Sequence, residues 1–248
     1  MADSGKANNP KVVILKTGTT YPQIKDQFGD FDTWFVRRLS SQLTLTVVDV
    51  TLAPPPGQPG DWHGIVVTGS PAMVSDREPW SEQAGEWLKE AVDASIPTLG
   101  VCYGHQLLAH ALGGKVGYHP KGRETGTHTI RLFDSAESDP LFSNLPREFC
   151  AQLTHKQSVL ELPPGAVLLG ESIFEPHQAF RVGENAWGVQ FHPEFTDQIM
   201  KSYLKVQQPE LETEGLDPDS LLSSVKPAPD AAKLLMLFSD RIIKKQRL

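Results

Sequence analysis

Thr98-Leu99-Gly100-Val101-Cys102-Tyr103-Gly104-His105-Gln106 is the stretch that decides how this chain is read. An apolar run over 96–101 stops at the cysteine, and a segment with helical spacing (Leu107, Leu108, Ala111, Leu112) starts at once. The pattern predicts a strand that turns sharply into a helix, with Cys102 on the corner. Gly100 and Gly104 flank the corner and relieve its crowding. Such a turn lifts a side chain out of the sheet and aims it at solvent. At the helix N-terminus the unpaired N–H groups and the helix dipole also favour a thiolate. The other reading of Cys102 is a small buried hydrophobe, the usual fate of a free cysteine.

A second stretch bears on the choice: Trp187-Gly188-Val189-Gln190-Phe191-His192-Pro193-Glu194. Val189 and Phe191 alternate with Gly188 and Gln190 as in a strand, and His192 and Glu194 follow at its end. Residues two apart on extended chain point the same way, so the carboxylate can hold the imidazole and stabilise its charged form. Pro193 stiffens the link. A thiol needs such a partner, because an ordinary cysteine is only a few per cent thiolate near neutral pH. A strand-end histidine beside an incidental glutamate is plausible alone; joined to a cysteine elbow it is not.

These residues, Gly100-Val101-Cys102-Tyr103-Gly104-His105-Gln106 with His192-Pro193-Glu194, resemble the class I glutamine amidotransferases, whose triad is Cys-His-Glu. Val66-Val67-Thr68-Gly69-Ser70-Pro71 is similar to the family's glycine-rich loop beside the nucleophile. Arg123-Glu124-Thr125-Gly126 and Leu153-Thr154-His155 supply two further matches, and all five segments come in family order. The type resembled is a stand-alone domain similar to the glutaminase domain of GMP synthase. The resemblance implies a nucleophile elbow at Cys102, with His192 as acid–base and Glu194 as its orienting carboxylate. It further implies an oxyanion hole from the backbone of Tyr103 and of the Gly69-Ser70 loop. Gln106, Thr154 and His155 would hold the amino-acid end of glutamine, with Glu124 and Gly126 supporting the pocket. No cofactor and no metal are implied. The family loop carries two glycines before proline, whereas here Ser70 replaces the second. A backbone donor survives, but the loop is less free to flip.

Composition agrees with a cytoplasmic enzyme. The 248 residues, 39% hydrophobic and 21% charged, are ample for one compact core. The net charge of −7 argues against a nucleic-acid partner, which needs a basic face. No run approaches the ~20 apolar residues that span a bilayer. A disulfide between Cys102 and Cys150 would consume the nucleophile, and Cys150 reads as packing. The histidines are scattered; His105 and His110, five apart, splay on a helix and read as poor metal ligands.

Strand-like runs over 11–16, 45–50, 65–68 and 96–101 alternate with helical patterns over 31–39 and from Pro79. This predicts an α/β fold, flavodoxin-like, with a mainly parallel central sheet flanked by helices and some antiparallel strands in the C-terminal half. Ligands then bind beyond the carboxyl ends of the strands, where Gly69-Ser70 and Cys102 fall. Residues 1–10 read as a flexible N-terminus, 11–206 as the amidotransferase domain, and 207–248 as a helical extension packing on it. Residues 21–30 could border the pocket, though nothing in the sequence forces a role on them. No Ser-Gly-Gly-x-Asp-Ser adenylating signature follows. Three readings stay open: a glutaminase feeding ammonia to a separate synthetase subunit, a hydrolase of other γ-glutamyl compounds like the plant γ-glutamyl peptidases, or a non-enzymatic redox or partner-binding protein. The last leaves His192 and Glu194 unexplained.

Overall fold

A computed structural model describes residues 9–246, so the N-terminal stretch expected to be flexible lies, for residues 1–8, outside the described residues. The apolar runs form strands β1 (Lys11–Lys16), β2 (Thr44–Asp49), β3 (Gly64–Val67) and β4 (Thr98–Val101). After them come β5 (Lys115–Tyr118), β6 (Glu124–Leu132), β7 (Glu148–His155), β8 (Gln157–Glu161), β9 (Val167–Glu171), β10 (Ala179–Val182) and β11 (Ala186–Val189). The main sheet has the order β2-β1-β3-β4-β11-β10-β9-β6-β7, and β5 pairs with β8 apart from it. Its β2, β1, β3, β4 and β11 run parallel, while β10, β9, β6 and β7 are antiparallel. This is the expected α/β architecture. β3 and β4 are buried at every position, as strands covered on both faces must be.

Helices α1 (Pro22–Phe28), α2 (Phe31–Val36), α3 (Pro79–Asp93) and α4 (Tyr103–Ala111) belong to the first half, and α5 (Asp197–Val206), α6 (Gln208–Thr213), α7 (Pro218–Ser224) and α8 (Pro229–Gln246) to the second. Trp87 and Leu88 of α3 join a core under β1 and β3, and Trp80 stacks on Tyr103. Ala231, Leu234, Leu235 and Phe238 of α8 share one core with Val12, Val66, Leu99 and Val189 of the sheet. α1 was not expected, and α6 and α7 are two separate helices within the helical extension expected over 207–248. They are short, and their periodicity is thin: α1 buries only Ile24 and α6 only Leu211.

Strand register builds the site. Val67 pairs with Gly100 across β3–β4, and Val101 pairs with Val189 across β4–β11. Residues 69, 102 and 192 therefore leave three adjacent parallel strands at one carboxyl edge. The two elbow glycines are required there. A Cβ on Gly100 would sit 2.3 Å from the Gly104 carbonyl oxygen, and one on Gly104 would sit 2.5 Å from that of Val67. Among the described residues no helix is long and apolar enough to cross a membrane.

Candidate active site

Cys102 caps the N-terminus of α4 with φ 52° and ψ −102°, a conformation that L residues rarely adopt and that marks a site held in place by its surroundings. Its sulfur is not aimed at bulk solvent, as the elbow alone predicted. Cys102 is 7% exposed and opens instead into a cavity of about 420 Å³, because the chain over 19–31 and helices α5 and α6 roof the sheet edge. Both cysteines are free.

His192 follows β11 and is fixed by a bridge to β7, its N–H donating to the Gln152 carbonyl oxygen at 2.9 Å. Its Nδ1 lies 2.7 Å from Glu194 Oε1, and the ring stacks on Phe195 with centroids 4.0 Å apart. Burial by itself would lower the His192 pKa. The charges of Glu194 and Cys102 outweigh it and raise the imidazole to about 10. Arg38 donates to the Glu194 backbone oxygen at 3.1 Å, tying Glu194 to the segment after α2. A Cβ placed on Gly69 would lie 3.2 Å from His192 Cε1, 3.5 Å from Phe31 Cε1 and 3.8 Å from Cys102 Cβ. Gly69 thus marks where the Cys102 side chain, the imidazole and an aromatic edge converge.

The Gly69–Ser70 peptide is locked. Its carbonyl oxygen accepts from Thr17 Oγ1 and Thr68 Oγ1, each at 2.9 Å. In a planar trans peptide the N–H of Ser70 must then point the opposite way. The Ser70 hydroxyl donates to the Thr17 carbonyl oxygen at 2.6 Å and accepts from Ala72 N–H at 3.1 Å. The serine that replaces a family glycine therefore bolts the loop to the residue after β1.

Along the opposite wall, the Thr154 carbonyl oxygen lies 4.0 Å from the Cys102 sulfur. Gln106 lines the cavity with its Nε2 spent on the Gln157 carbonyl oxygen (2.8 Å) and Gln190 Oε1 (2.9 Å). Its Oε1 is the end left to meet a ligand. His155 also lines the cavity, with Nδ1 2.8 Å from the Gln157 carbonyl oxygen and Nε2 2.8 Å from Glu124 Oε2. Glu124 itself does not reach the cavity wall. Its carboxylate is buried behind His155, accepting from Ser172 (2.6 Å) and Gln178 (2.8 Å) as well. Burial would raise its pKa, but the bonds from His155 and Ser172 keep it below the usual range.

Of residues 21–30, expected to border the pocket without a forced role, Tyr21 and Pro22 line the cavity. Sequence reasoning passed over the rest of the roof: Thr20 and Phe31 from the chain after β1, with Tyr203, Gln207 and Glu210 from α5 and its continuation. Arg123, quoted only as part of a matching segment, is clamped between Glu210 (2.5 Å) and Glu214 (2.8 and 3.0 Å). Asp30 carries the signal that could have found the first group. It accepts from Lys16, Thr20 N–H and Phe31 N–H at 2.8–2.9 Å, so a carboxylate just before a helix folds the loop back over the sheet edge. His105 is fully buried against Phe180, with its pKa lowered to about 3 by burial, and His110 pairs with Glu82. Among the described residues no group of three His, Cys, Asp or Glu could hold a metal ion.

Comparisons with known proteins converge on the same family. Residues 24–207 match the profile described as glutamine amidotransferase class-I. A glutamine-hydrolysing GMP synthase of Streptococcus mutans is 40% identical over 193 residues, covering 74% of this chain and 33% of that protein. Its counterpart in Thermosipho africanus is 37% identical over 146 residues, 56% of this chain and 26% of that protein. The chain thus spans about a third or less of these relatives. Among solved structures, a glutamine amidotransferase from Thermotoga maritima shares the fold with TM-score 0.74 at 20% identity, covering 95% of this chain and 99% of that one. One from Methylobacillus flagellatus has TM-score 0.67 at 22% identity, with 96% and 90% covered. With a profile match over most of its length, the chain belongs to the class-I glutamine amidotransferase family.

Proposed function

We propose that Cys102, His192 and Glu194 hydrolyse the side-chain amide of glutamine through a γ-glutamyl thioester, releasing ammonia. The observation that carries this reading is the convergence of Cys102 with the His192–Glu194 pair, 90 residues on in sequence. Glu194 grips Nδ1 of His192 at 2.7 Å and leaves Nε2 buried without a partner, while the ring converges at Gly69 with a cysteine held at a strained elbow and open to a cavity. An imidazolium beside sulfur favours the thiolate, which attacks the amide carbon. The oxyanion that forms meets the N–H of Ser70, fixed by the locked Gly69–Ser70 peptide, and the N–H of Tyr103, first residue of α4 and without an intrahelical acceptor. One such donor is worth about 3–4 kcal/mol in the transition state. His192 then protonates the departing nitrogen, and the freed ring takes a proton from water as the water opens the thioester. Gln106, Thr154 and His155 hold the amino-acid end, and Glu124 positions His155 from behind. The relatives named GMP synthase support ammonia delivery to a synthetase-type partner subunit.

The test is direct. Protein incubated with glutamine should release ammonia and glutamate in equal amounts, and Cys102→Ala should release neither. A glutamine analogue bearing an electrophile should add its mass to the wild-type protein at Cys102. Glutamine left intact, with no adduct formed, overturns the assignment.

A further inference from the structure

The cavity is chemically divided, and the division says what lies beyond the scissile nitrogen. On one side of Cys102 stand Gln106, the Thr154 carbonyl and the Arg123 guanidinium, groups that can meet the charged ammonium and carboxylate of a glutamyl unit. Arg123 has its Nε and Nη2 held by Glu210 and Glu214. On the other side the wall is aromatic. The Phe31 edge converges with His192 and Cys102 on Gly69, and Tyr203 packs on Phe195, which in turn stacks on His192. Tyr21 meets Tyr203 edge-on at 5.6 Å. The polar atoms at this end are engaged with one another. Thr20 Oγ1 and the Tyr203 hydroxyl lie 2.5 Å apart, and the Tyr21 hydroxyl accepts from Gln207 at 3.4 Å. What they leave facing the cavity is ring surface.

Chemistry orients a substrate across this divide. The proton donor must approach the leaving nitrogen, so that nitrogen lies against His192. In a trans amide the nitrogen's substituent points away from the glutamyl chain. With the glutamyl charges at the polar end, a substituent on nitrogen runs onto the aromatic end. For glutamine that end would stay empty, and a cavity of about 420 Å³ lies in the range that encloses ligands larger than one amino acid.

We propose that the aromatic end is a leaving-group subsite, and that the site prefers γ-glutamyl amides whose nitrogen carries an apolar ring over those with a polar substituent. The proposal rests on the Cys102 thioester reading and specifies its substrate class. The reaction balances as before: the Cys102 sulfur bonds the side-chain carbonyl carbon and the C–N bond breaks. The amine leaves with a proton from His192, and water then returns the thioester to glutamate and free thiol.

Purified full-length protein should be assayed with glutamine, γ-glutamylbenzylamide and γ-glutamylglycine, the last two having leaving amines of similar basicity. The expected result is kcat/KM at least tenfold higher for the benzylamide than for the glycine compound, the scale that apolar pocket contacts support. Tyr21→Ala should lower the ratio of benzylamide to glutamine turnover about tenfold. Pro22→Asp, an acid at the exposed first turn of α1 where the helix dipole accepts it, should lower the same ratio and guards against a folding defect in the first variant. If glutamine is hydrolysed but the benzylamide is no better than the glycine compound, the subsite is overturned and the glutaminase reading survives. If all three compounds are inert, both fall.

Discussion

The floor and the roof of the cavity are built by different physics. The floor is backbone: three parallel strands deliver Gly69, Cys102 and His192 to one edge through register and buried ladders. The roof is side chains: Lys16 on Asp30, Thr20 on Tyr203, and Arg123 between Glu210 and Glu214. Their charges respond to pH in opposite senses. His192 is raised from 6.5 to about 10, so its contribution to stability is complete below pH 6.5 and is withdrawn as pH climbs toward 10. Glu210 and Glu214 are lowered, chiefly by bonds from Arg123. Their contribution is present above pH 4.5 and is lost as pH falls through their folded values. Alkali loosens the floor, whereas acid loosens the roof.

The comparison breaks most visibly at Cys102, the proposed nucleophile. Cys102→Ala should cost at least ~10⁴-fold in glutamine turnover, since loss of one triad member removes the covalent route. No roof substitution should approach that loss; one that did would place chemistry in the roof. Glu194→Gln comes next, at ~10²–10⁴-fold, by analogy with the orienting carboxylate of serine enzymes. Because Glu194 is the main force holding His192 charged against burial, the imidazole pKa should drop well below 10 in this variant, read by NMR titration. The alkaline decline in stability should flatten while the acid limb stays put. An unmoved imidazole would dissociate the two residues.

The same divide explains what could be read before any coordinates. The floor was legible because strand ends, flanking glycines and a His-x-Glu spacing are local patterns with local geometric consequences. The parallel order, the elbow and the His192–Glu194 pair follow from them, whereas the meeting of His192 with Cys102 was implied by the family resemblance and rests on the non-local pairing of β4 with β11. The roof joins residues far apart in sequence. Nothing near Arg123 announces that Glu210 and Glu214 will close on it, and residues 208–224 show charge and proline before periodicity. Glu124 is the instructive middle case. Its segment was quoted correctly, yet only burial reveals that the carboxylate faces Ser172, Gln178 and the back of His155 rather than the cavity.

Arg123→Met sharpens the roof's side of the comparison. Its side chain is 3% exposed, and its loss leaves two carboxylates facing each other with only the part-exposed Lys156 to pair them. Chemical denaturation should show a destabilisation of about 2–3 kcal/mol, the scale of one broken partly buried network. The loss should be smaller at low pH, where the carboxylates are protonated and need no partner. Catalysis should suffer more in KM than in kcat, because the chemistry sits on the floor. Lys156→Met removes an outlying member, paired with the same two carboxylates but a third exposed, and should cost about 0.5 kcal/mol.

A last comparison probes the floor without touching charge. Among the described residues only Arg77, Ser95 and Cys102 combine a side chain with positive φ, and of these only Cys102 lines the cavity. Its ψ of −102° lies far from the left-handed basin that eases a positive φ. A side chain held there stores about 1–3 kcal/mol. Glycine would release that strain, but would also gain about 0.5–1 kcal/mol of freedom in the unfolded chain. Cys102→Gly should therefore be about 1 kcal/mol more stable than Cys102→Ala, both variants lacking the sulfur and so being equally inactive. Measuring one against the other cancels the thiol and leaves only the backbone. Equal stabilities would mean that the elbow is relaxed and that the floor owes its rigidity to strand packing alone. A more stable glycine variant would show that strand packing holds Cys102 at the corner against a backbone strain that no residue of the roof shares, since among the described residues that line the cavity only Cys102 combines a side chain with positive φ.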